Sequence, residues 1–204
     1  PRALPGPRAE AVAVWGRGAR PRLLATGRQR ALPLLQVEGG CLRSVGLGAD
    51  LIDPISWVVD RRGMYYDATE SSDLEHLLTT ADWSEPQLQR AEALRQQLVA
   101  QAITKYNLPG HGWQRPKDAR RVVLVVGQVE SDASIRYGAP GLSSNLALLQ
   151  AVRAAEPEAF LVYKPHPDVV AGLRRSGEGE QRAEQVCDCL LGDGSIHALF
   201  EQVD

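Results

Sequence analysis

Short apolar runs alternate along the chain with longer amphipathic stretches, and the two periods predict strands and helices in turn. "AVAVW" (11–15) and "LPLLQVE" (32–38) read as strands, with a basic helical stretch between them reaching about Arg30. In "ISWVVDRRGMYYD" two β-rich runs meet at "RRG", where Gly63 can take a positive φ, so a hairpin is expected. "SSDLEHLL" opens a short helix with Ser71 or Ser72 as its cap. The plainest helix is "SEPQLQRAEALRQQLVAQAITKY" (84–106), with Ser84 as N-cap, Pro86 in the first turn and Gln87 at the capping-box position. Leu88, Ala91, Leu94, Leu98 and Ile103 keep to one stripe, which predicts a scaffold helix.

Residues 107–120, within "NLPGHGWQRPKDARR", are rich in turn formers and read as a linker between units at 1–106 and 121–204. Beyond it the grammar is regular. "VVLVV" is a buried strand ending at Gly127, followed by a polar loop (127–141), a helix from about Ser144 to Ala155, and the strand "AFLVYK". That strand runs into "PHPDVVAGLRR", a further helix start. Near-continuous apolar strands in a β-loop-α-β order predict an α/β fold with a parallel sheet covered on both faces. Ligands bind such sheets at the carboxyl ends of the strands, where the polar loops 127–141 and 164–168 fall. A helix capped by Ser195 ends the chain with no strand after it, so the alternation is expected to be incomplete there.

Composition narrows the class. The chain has 204 residues, 44% hydrophobic and 24% charged, which suits a soluble globular protein. No apolar run approaches the roughly 20 residues of a membrane helix, and no signal-peptide pattern opens the chain, so a cytoplasmic protein is expected. A net charge of −2 argues against a nucleic-acid partner. Residues 1–30 nevertheless hold seven arginines (Arg2, Arg8, Arg17, Arg20, Arg22, Arg28, Arg30) against Glu10. A solvated helix face is the preferred reading over an arm for anionic lipid or a phosphorylated substrate. The three cysteines, Cys41, Cys187 and Cys189, are too few for a disulfide framework. Cys187, Cys189 and His197 lack a fourth zinc ligand, so small buried side chains are expected and neither metal nor cofactor is assigned. Gly16 and Gly18 after the first strand echo a dinucleotide fingerprint, but Pro21 occupies the third glycine position and no acid follows at the right distance.

Two constellations carry chemistry. In "VYKPHPDVV", His166 lies between Pro165 and Pro167, which stiffen the backbone, and Lys164 stands two residues earlier at the strand end. With a helix start just beyond, a cation, a rigid imidazole and free N–H groups suit a phosphate; a structural histidine closing a turn is the plainer alternative. In the loop after Gly127, Gln128, Glu130 and Ser134 could contact a sugar or base and Arg136 a second anionic group, against the alternative of a solvated turn.

Taken in order, "VEGGCLRSVGLGADL", "MYYDATESSDLEHLL", "TKYNLPG", "VVLVVGQVESDASIRYGAP" and "VYKPHPDVVAGLR" closely resemble the bacterial capsule polysaccharide biosynthesis and export family, the β-Kdo transferases of the KpsC type. The resemblance runs from about Ala11 to the end of the chain. It implies a GT-B architecture of two Rossmann-like domains around a cleft, here C-terminally incomplete and lacking a first strand. It also implies CMP-Kdo as donor, a lipid-linked saccharide as acceptor, other capsule assembly and export proteins as partners, and peripheral association with the inner membrane face. His166 and Pro167 would contact the nucleotide phosphate.

Where this chain reads "VEGG", the family pattern looks like Glu-Asp-Gly, and its middle acid is the catalytic carboxylate. Here that position is Gly39, beside Glu38, and glycine can neither accept a proton nor attack an anomeric carbon. Three accounts stand: an inactive module of a tandem enzyme, substitution by Glu38 from the opposite side of the strand, or an Asp codon misread by one base. Arg43 is the candidate for gripping a donor or acceptor carboxylate, with a structural ion pair as its alternative. Against the transferase stands a non-catalytic nucleotide- or glycan-binding module that docks into a capsule assembly complex.

Overall fold

The structure is a computed structural model and describes residues 8–16, 25–27 and 29–204. Arg2, Arg17, Arg20, Arg22 and Arg28 of the basic segment, Gly18, Pro21 and most of the helix expected before Arg30 lie outside the described residues. The first sheet has the order β1 (Val12–Trp15), β2 (Leu34–Gly39), β3 (Trp57–Asp60). β1 is parallel to β2 and β3 antiparallel to it, so this sheet is mixed. Strand alternation turns Val12 and Val14 inward against Leu32 and Leu34. Trp15, Trp57 and Val59 remain exposed on the other face, with the two indoles edge-on at 6.2 Å.

The expected hairpin is absent: β3 pairs back onto β2, and "MYYD" is a loop. The cause is Asp60, 1% exposed. Its Oδ1 accepts from the N–H groups of Arg62 and Gly63 at 2.9 and 3.0 Å, and its Oδ2 from that of Asp73 at 2.8 Å. One buried carboxylate thus turns the chain and ties the start of α1 (Asp73–Thr80) to the end of β3. Ser72 caps α1, its hydroxyl accepting from Glu75 N–H at 3.0 Å.

α2 spans Glu85–Ala100, with the Gln87 side chain accepting from Ser84 N–H at 2.9 Å as the capping box requires. It stops short of residue 106 because Ala102 takes a left-handed φ of +54°, and Ile103 N–H reaches back to Leu98 C=O at 2.9 Å. The first three residues of the stripe expected to be a packed scaffold, Leu88, Ala91 and Leu94, are open to solvent, while Leu98 and Ile103 are half-buried. Leu88 is 51% exposed and Leu94 45%, and Leu74, Leu77 and Leu78 of α1 are exposed as well.

The second sheet has the order β4 (Val122–Val126), β5 (Phe160–Lys164), β6 (Cys189–Leu190), all parallel. Val125, Leu149, Ala159, Leu161, Tyr163 and Ala183 form its core. Leu149 belongs to α4 (Asn145–Ala155), whose Ser144 cap accepts from Ala147 N–H at 3.1 Å. Three expectations are corrected in this half. The polar loop after Gly127 contains a helix, α3 (Ala133–Gly138). "PHPDVVAGLRR" supports one helical turn, α5 (Pro167–Val170). The cysteine-rich "CDCLL" supplies β6, too short to show a periodicity; Cys187 and Cys189 are half-buried there, while Cys41 is exposed. α6 (Ile196–Phe200) follows, capped by Ser195 as expected.

The linker is pinned rather than free. His111 bridges to Gly194, and the Arg115 guanidinium donates to both Asp204 carboxylate oxygens at 2.9 Å. Asp204 in turn accepts from Val122 N–H at 2.7 Å, so the last residue holds the first residue of β4.

Asp60→Ala leaves three N–H groups without their acceptor, at about 1–3 kcal/mol each when buried. We expect a loss of roughly 3 kcal/mol or more in urea unfolding. A loss below about 1 kcal/mol would mean that water replaces the carboxylate.

Candidate functional site

The two sheets meet where their strand ends approach. Ala68 N–H donates to Tyr137 C=O at 3.1 Å, and the rings of Tyr106 and His166 stand edge-on with centres 6.4 Å apart. A cleft of about 640 Å³ opens between the 65–72 loop and α3, lined by Tyr65, Tyr66, Asp67, Thr69, Ser134 and Gly138 among others.

On the first side, β2 delivers Glu38 and Gly39 to opposite faces, as strand alternation demands. The Glu38 carboxylate folds back to accept from Gly39 N–H at 2.9 Å. Its other oxygen lies at the turn after β1: a Cβ on Gly16 would sit 3.3 Å from Glu38 Oε2 and 3.4 Å from the Tyr66 hydroxyl. Gly39 is buried against Arg43, and a Cβ there would lie 3.3 Å from Nε and 3.4 Å from Cδ and Cγ. The Arg43 guanidinium turns away toward the 48–52 loop, donating from Nη1 to Ser44 Oγ at 3.1 Å and Ile52 C=O at 2.9 Å. Arg43 is thus held by protein acceptors as well as lying beside position 39.

On the second side, Gly127 N–H donates to Lys164 C=O at 2.8 Å, which places the glycine beside the end of β5. Asn145 clamps the next residue, accepting from Gln128 N–H at 2.9 Å and donating from Nδ2 to Gln128 C=O at 2.8 Å. The Gln128 side chain stays exposed. Glu130 is engaged at both oxygens, by Asn145 N–H at 2.7 Å and Glu178 N–H at 3.1 Å. It therefore secures the loop instead of pointing an open carboxylate into the cleft. Ser134 lines the cleft; Arg136 is exposed and does not.

Lys164 is buried, its Nζ 3.5 Å from Gly192 C=O, and burial lowers its pKa against a smaller raising effect of Asp193. His166 caps α5, with Pro167 at the first helical position. Its Nδ1 accepts from Asp168 N–H at 3.2 Å. Burial lowers its pKa below the ordinary 6.5, and Lys105 and Arg174 add to that, while Asp168 and Asp132 oppose it. At neutral pH the ring is uncharged, and acceptance at Nδ1 leaves the proton on Nε2 as a donor. The helix-end contribution is smaller than expected, because α5 is a single turn and its Asp168 N–H is spent on His166 itself. Asp168 Oδ1, buried, has no hydrogen-bond partner among the described residues.

Sequence reasoning missed the support beneath these groups. The Tyr163 hydroxyl donates to Glu180 Oε1, and Ser176 Oγ and Gly177 N–H donate to Glu180 Oε2 at 2.8 and 2.6 Å. Burial alone would raise the Glu180 pKa, but the bonds from Tyr163, Gly177 and Ser176 outweigh it and the net shift is downward. Burial, then the Glu180 contact, push Tyr163 well above its ordinary 10.0. Tyr163 looked like one more core position of an apolar strand, and Glu180 lies in a polar run without periodicity. Lys105 and Tyr106 were visible only as part of "TKYNLPG".

Polar loops gathered at strand ends along a cleft between two sheets define an α/β protein of the GT-B-like kind. Residues 10–110 and 110–204 match the model of the capsule polysaccharide biosynthesis protein family, and the chain belongs to that family. It is 38% identical over 198 residues to the capsule polysaccharide modification protein LipA of Neisseria meningitidis serogroup A, covering 92% of this chain and 28% of that protein. It is 37% identical over 178 residues to the lipopolysaccharide-processing protein LpsZ of Rhizobium meliloti, covering 85% and 40%. Among solved structures, KpsC of Thermosulfurimonas dismutans, a β-Kdo 2,4 transferase, superposes with a TM-score of 0.83 at 32% identity, covering 96% of this chain and 61% of that one. The chain thus spans only part of each relative. No group of three or more His, Cys, Asp or Glu suited to a metal occurs among the described residues.

Glu180 has a depressed folded-state pKa, so its stabilisation is present above the ordinary 4.5 and is lost as pH falls through the lower folded value. Glu180→Gln should cost about 1.5–3 kcal/mol at pH 7. The gap to wild type in denaturant midpoints should shrink below pH 4.5; a gap independent of pH would refute the charged contact.

Proposed function

We propose that this chain forms the donor and acceptor walls of a transferase that moves Kdo from CMP-Kdo to a lipid-linked saccharide during capsule synthesis, at the cytoplasmic face of the inner membrane. The observation that carries the reading is the edge-on contact of His166, two residues after Lys164 at the end of β5, with Tyr106, whose carbonyl is bound by Gly46 N–H in the loop that follows β2. The solved relative is named as a β-Kdo transferase, and the arrangement of this chain fits the needs of that reaction. Transfer breaks the bond from the anomeric carbon to the phosphate oxygen, and the departing CMP gains negative charge. In this reading Lys164 and the Nε2–H of His166, with Pro167 fixing the turn, would receive that charge, and the Asn145-clamped loop from Gly127 to Gln128 would border the nucleotide. On the other wall a carboxylate at position 39 would take the acceptor hydroxyl proton or attack the anomeric carbon.

Gly39 removes that carboxylate, and the same observation favours a second reading, a module that binds CMP or glycan without turnover and docks with other capsule assembly proteins. The fold has room for the missing group. The three atoms nearest to a Cβ at position 39 belong to the flexible Arg43 side chain, at 3.3–3.4 Å, so an aspartate Cβ needs that side chain to give by a few tenths of an ångström and stands beside its Nε.

The test is Kdo transfer from CMP-Kdo to a synthetic lipid-linked acceptor, run with Gly39 and with Gly39→Asp. Turnover by Gly39→Asp alone supports an intact donor site around a missing nucleophile or base. Turnover by both assigns the carboxylate elsewhere, with Glu38 the first candidate. Binding of CMP without turnover by either form favours the binding module. In the same protein His166→Ala should weaken CMP about ten-fold or more, as loss of a hydrogen bond to a charged group does. An unchanged CMP dissociation constant removes His166 from the phosphate site.

A further inference from the structure

The segment 104–107 is locked to the 43–46 loop with unusual thoroughness for an irregular stretch. Thr104 N–H donates to Asn107 Oδ1 at 2.9 Å and Asn107 N–H to Thr104 Oγ1 at 3.0 Å. Asn107 Nδ2 donates to Ser44 C=O at 2.9 Å. Lys105 C=O accepts from Arg43 and Ser44 N–H at 2.9 and 3.2 Å, and Tyr106 C=O accepts from Gly46 N–H at 2.9 Å. Asn107 holds a left-handed φ of +50° to make this possible. The turn therefore fixes the stems of Lys105 and Tyr106 to the wall that carries Gly39.

What it presents is a cation. Lys105 Nζ lies 5.2 Å from the centre of the Tyr106 ring, whose edge or face meets His166 on the opposite wall. Among the described residues no carboxylate lies within ion-pair distance of Lys105. Arg174, the other cation acting on His166, stands 3.7 Å from Asp132 and is already opposed by an acid. An ammonium over an aromatic face keeps its outward side for other partners. Its charge is felt on both walls, by His166 and by Tyr65.

A nucleotide carrying an acidic sugar brings two anionic groups, a phosphate and a carboxylate. Lys164 can face one of them, His166 is neutral at physiological pH, Arg174 is opposed by Asp132 and Arg136 is exposed on α3, so a cation from the β2 side can serve the second. Resting on the function proposed above, we infer that Lys105 is a ligand-binding residue whose ammonium takes an anionic oxygen of the sugar nucleotide from the β2 side of the cleft. The oxygen belongs either to the sugar carboxylate or to the phosphate.

Calorimetric titration of wild type, Lys105→Met and Lys105→Arg with CMP-Kdo and with CMP distinguishes the two. Lys105→Met weakening CMP-Kdo about ten-fold, and CMP by less than about two-fold, assigns the carboxylate; equal weakening of both assigns the phosphate. Lys105→Arg, which keeps the charge, should retain most of the affinity in either case. Unchanged affinities in Lys105→Met, where His166→Ala still weakens binding, overturn the inference and leave the functional reading standing. If wild type binds neither nucleotide, the functional reading fails and the inference fails with it. NMR titration of His166 needs no ligand: removing the cation in Lys105→Met should raise the His166 pKa, and an unmoved value refutes the placement of the ammonium.

Discussion

Everything around the end of the second sheet depends on how β4 and β5 end together. Gly127 N–H donates to Lys164 C=O, and the Tyr163 hydroxyl fills the space a side chain at 127 would need, 2.5 Å from where a Cβ would stand. Only because position 127 is bare can Tyr163 project past the strand and reach Glu180. Glu180 then gathers the 176–177 turn, while Glu130 holds Glu178 N–H with one oxygen and the first residue of α4 with the other. Asn145, at that helix start, fixes Gln128 at both its N–H and its C=O. The chain of contacts is closed, with each buried carboxylate oxygen in it supplied with donors, and in a low-dielectric interior such a network is costly to break at any single point. Its effect is to hold the loop backbone and the end of β5 in one geometry before any ligand arrives.

The opposite wall follows a different logic. Arg43 lies against Gly39 yet donates its hydrogen bonds to Ser44 Oγ and Ile52 C=O. Glycine at position 39 therefore leaves no uncompensated buried charge, since the guanidinium has protein acceptors of its own. That is why the strand end can carry glycine without structural damage. An acid at 39 would sit beside a positive charge, which favours its ionised form, the form that either accepts a proton or attacks carbon.

Much of this was legible in the residues. The apolar runs of β4 and β5, the serine caps at 144 and 195 and the Ser84–Gln87 box are local signals, set by period and by short side-chain reach, and they fall where expected. The hairpin reading of "WVVDRRGMYY" failed because Asp60 outbids strand pairing for the N–H groups of Arg62 and Gly63 while also binding Asp73, a contact spanning 13 residues that no local pattern shows. β6 was hidden because two residues cannot display alternation. For the site, Lys164 and His166 stood out by being rare residue types at a strand end, whereas the structural bonds of Glu130 could not be read locally because its two backbone partners come from α4 and the 178 turn. Tyr163, Glu180 and Asn145 are support residues whose chemistry exists only in three dimensions.

The two walls divide the electrostatic task. On the β5 side burial lowers the pKa of Lys164, against a smaller opposing effect of Asp193, and burial with nearby cations lowers that of His166. Burial disfavours the charged form of each group, and an anion placed beside them would offset that cost. On the β2 side Lys105 stays solvated over Tyr106, fixed at its stem and free at its tip. A solvated charge costs little to maintain and acts strongly only once the cleft is filled and the water between it and its partner is displaced. Discrimination for an acidic sugar nucleotide would then come from the second anionic group, read by a residue that belongs to the wall opposite the phosphate.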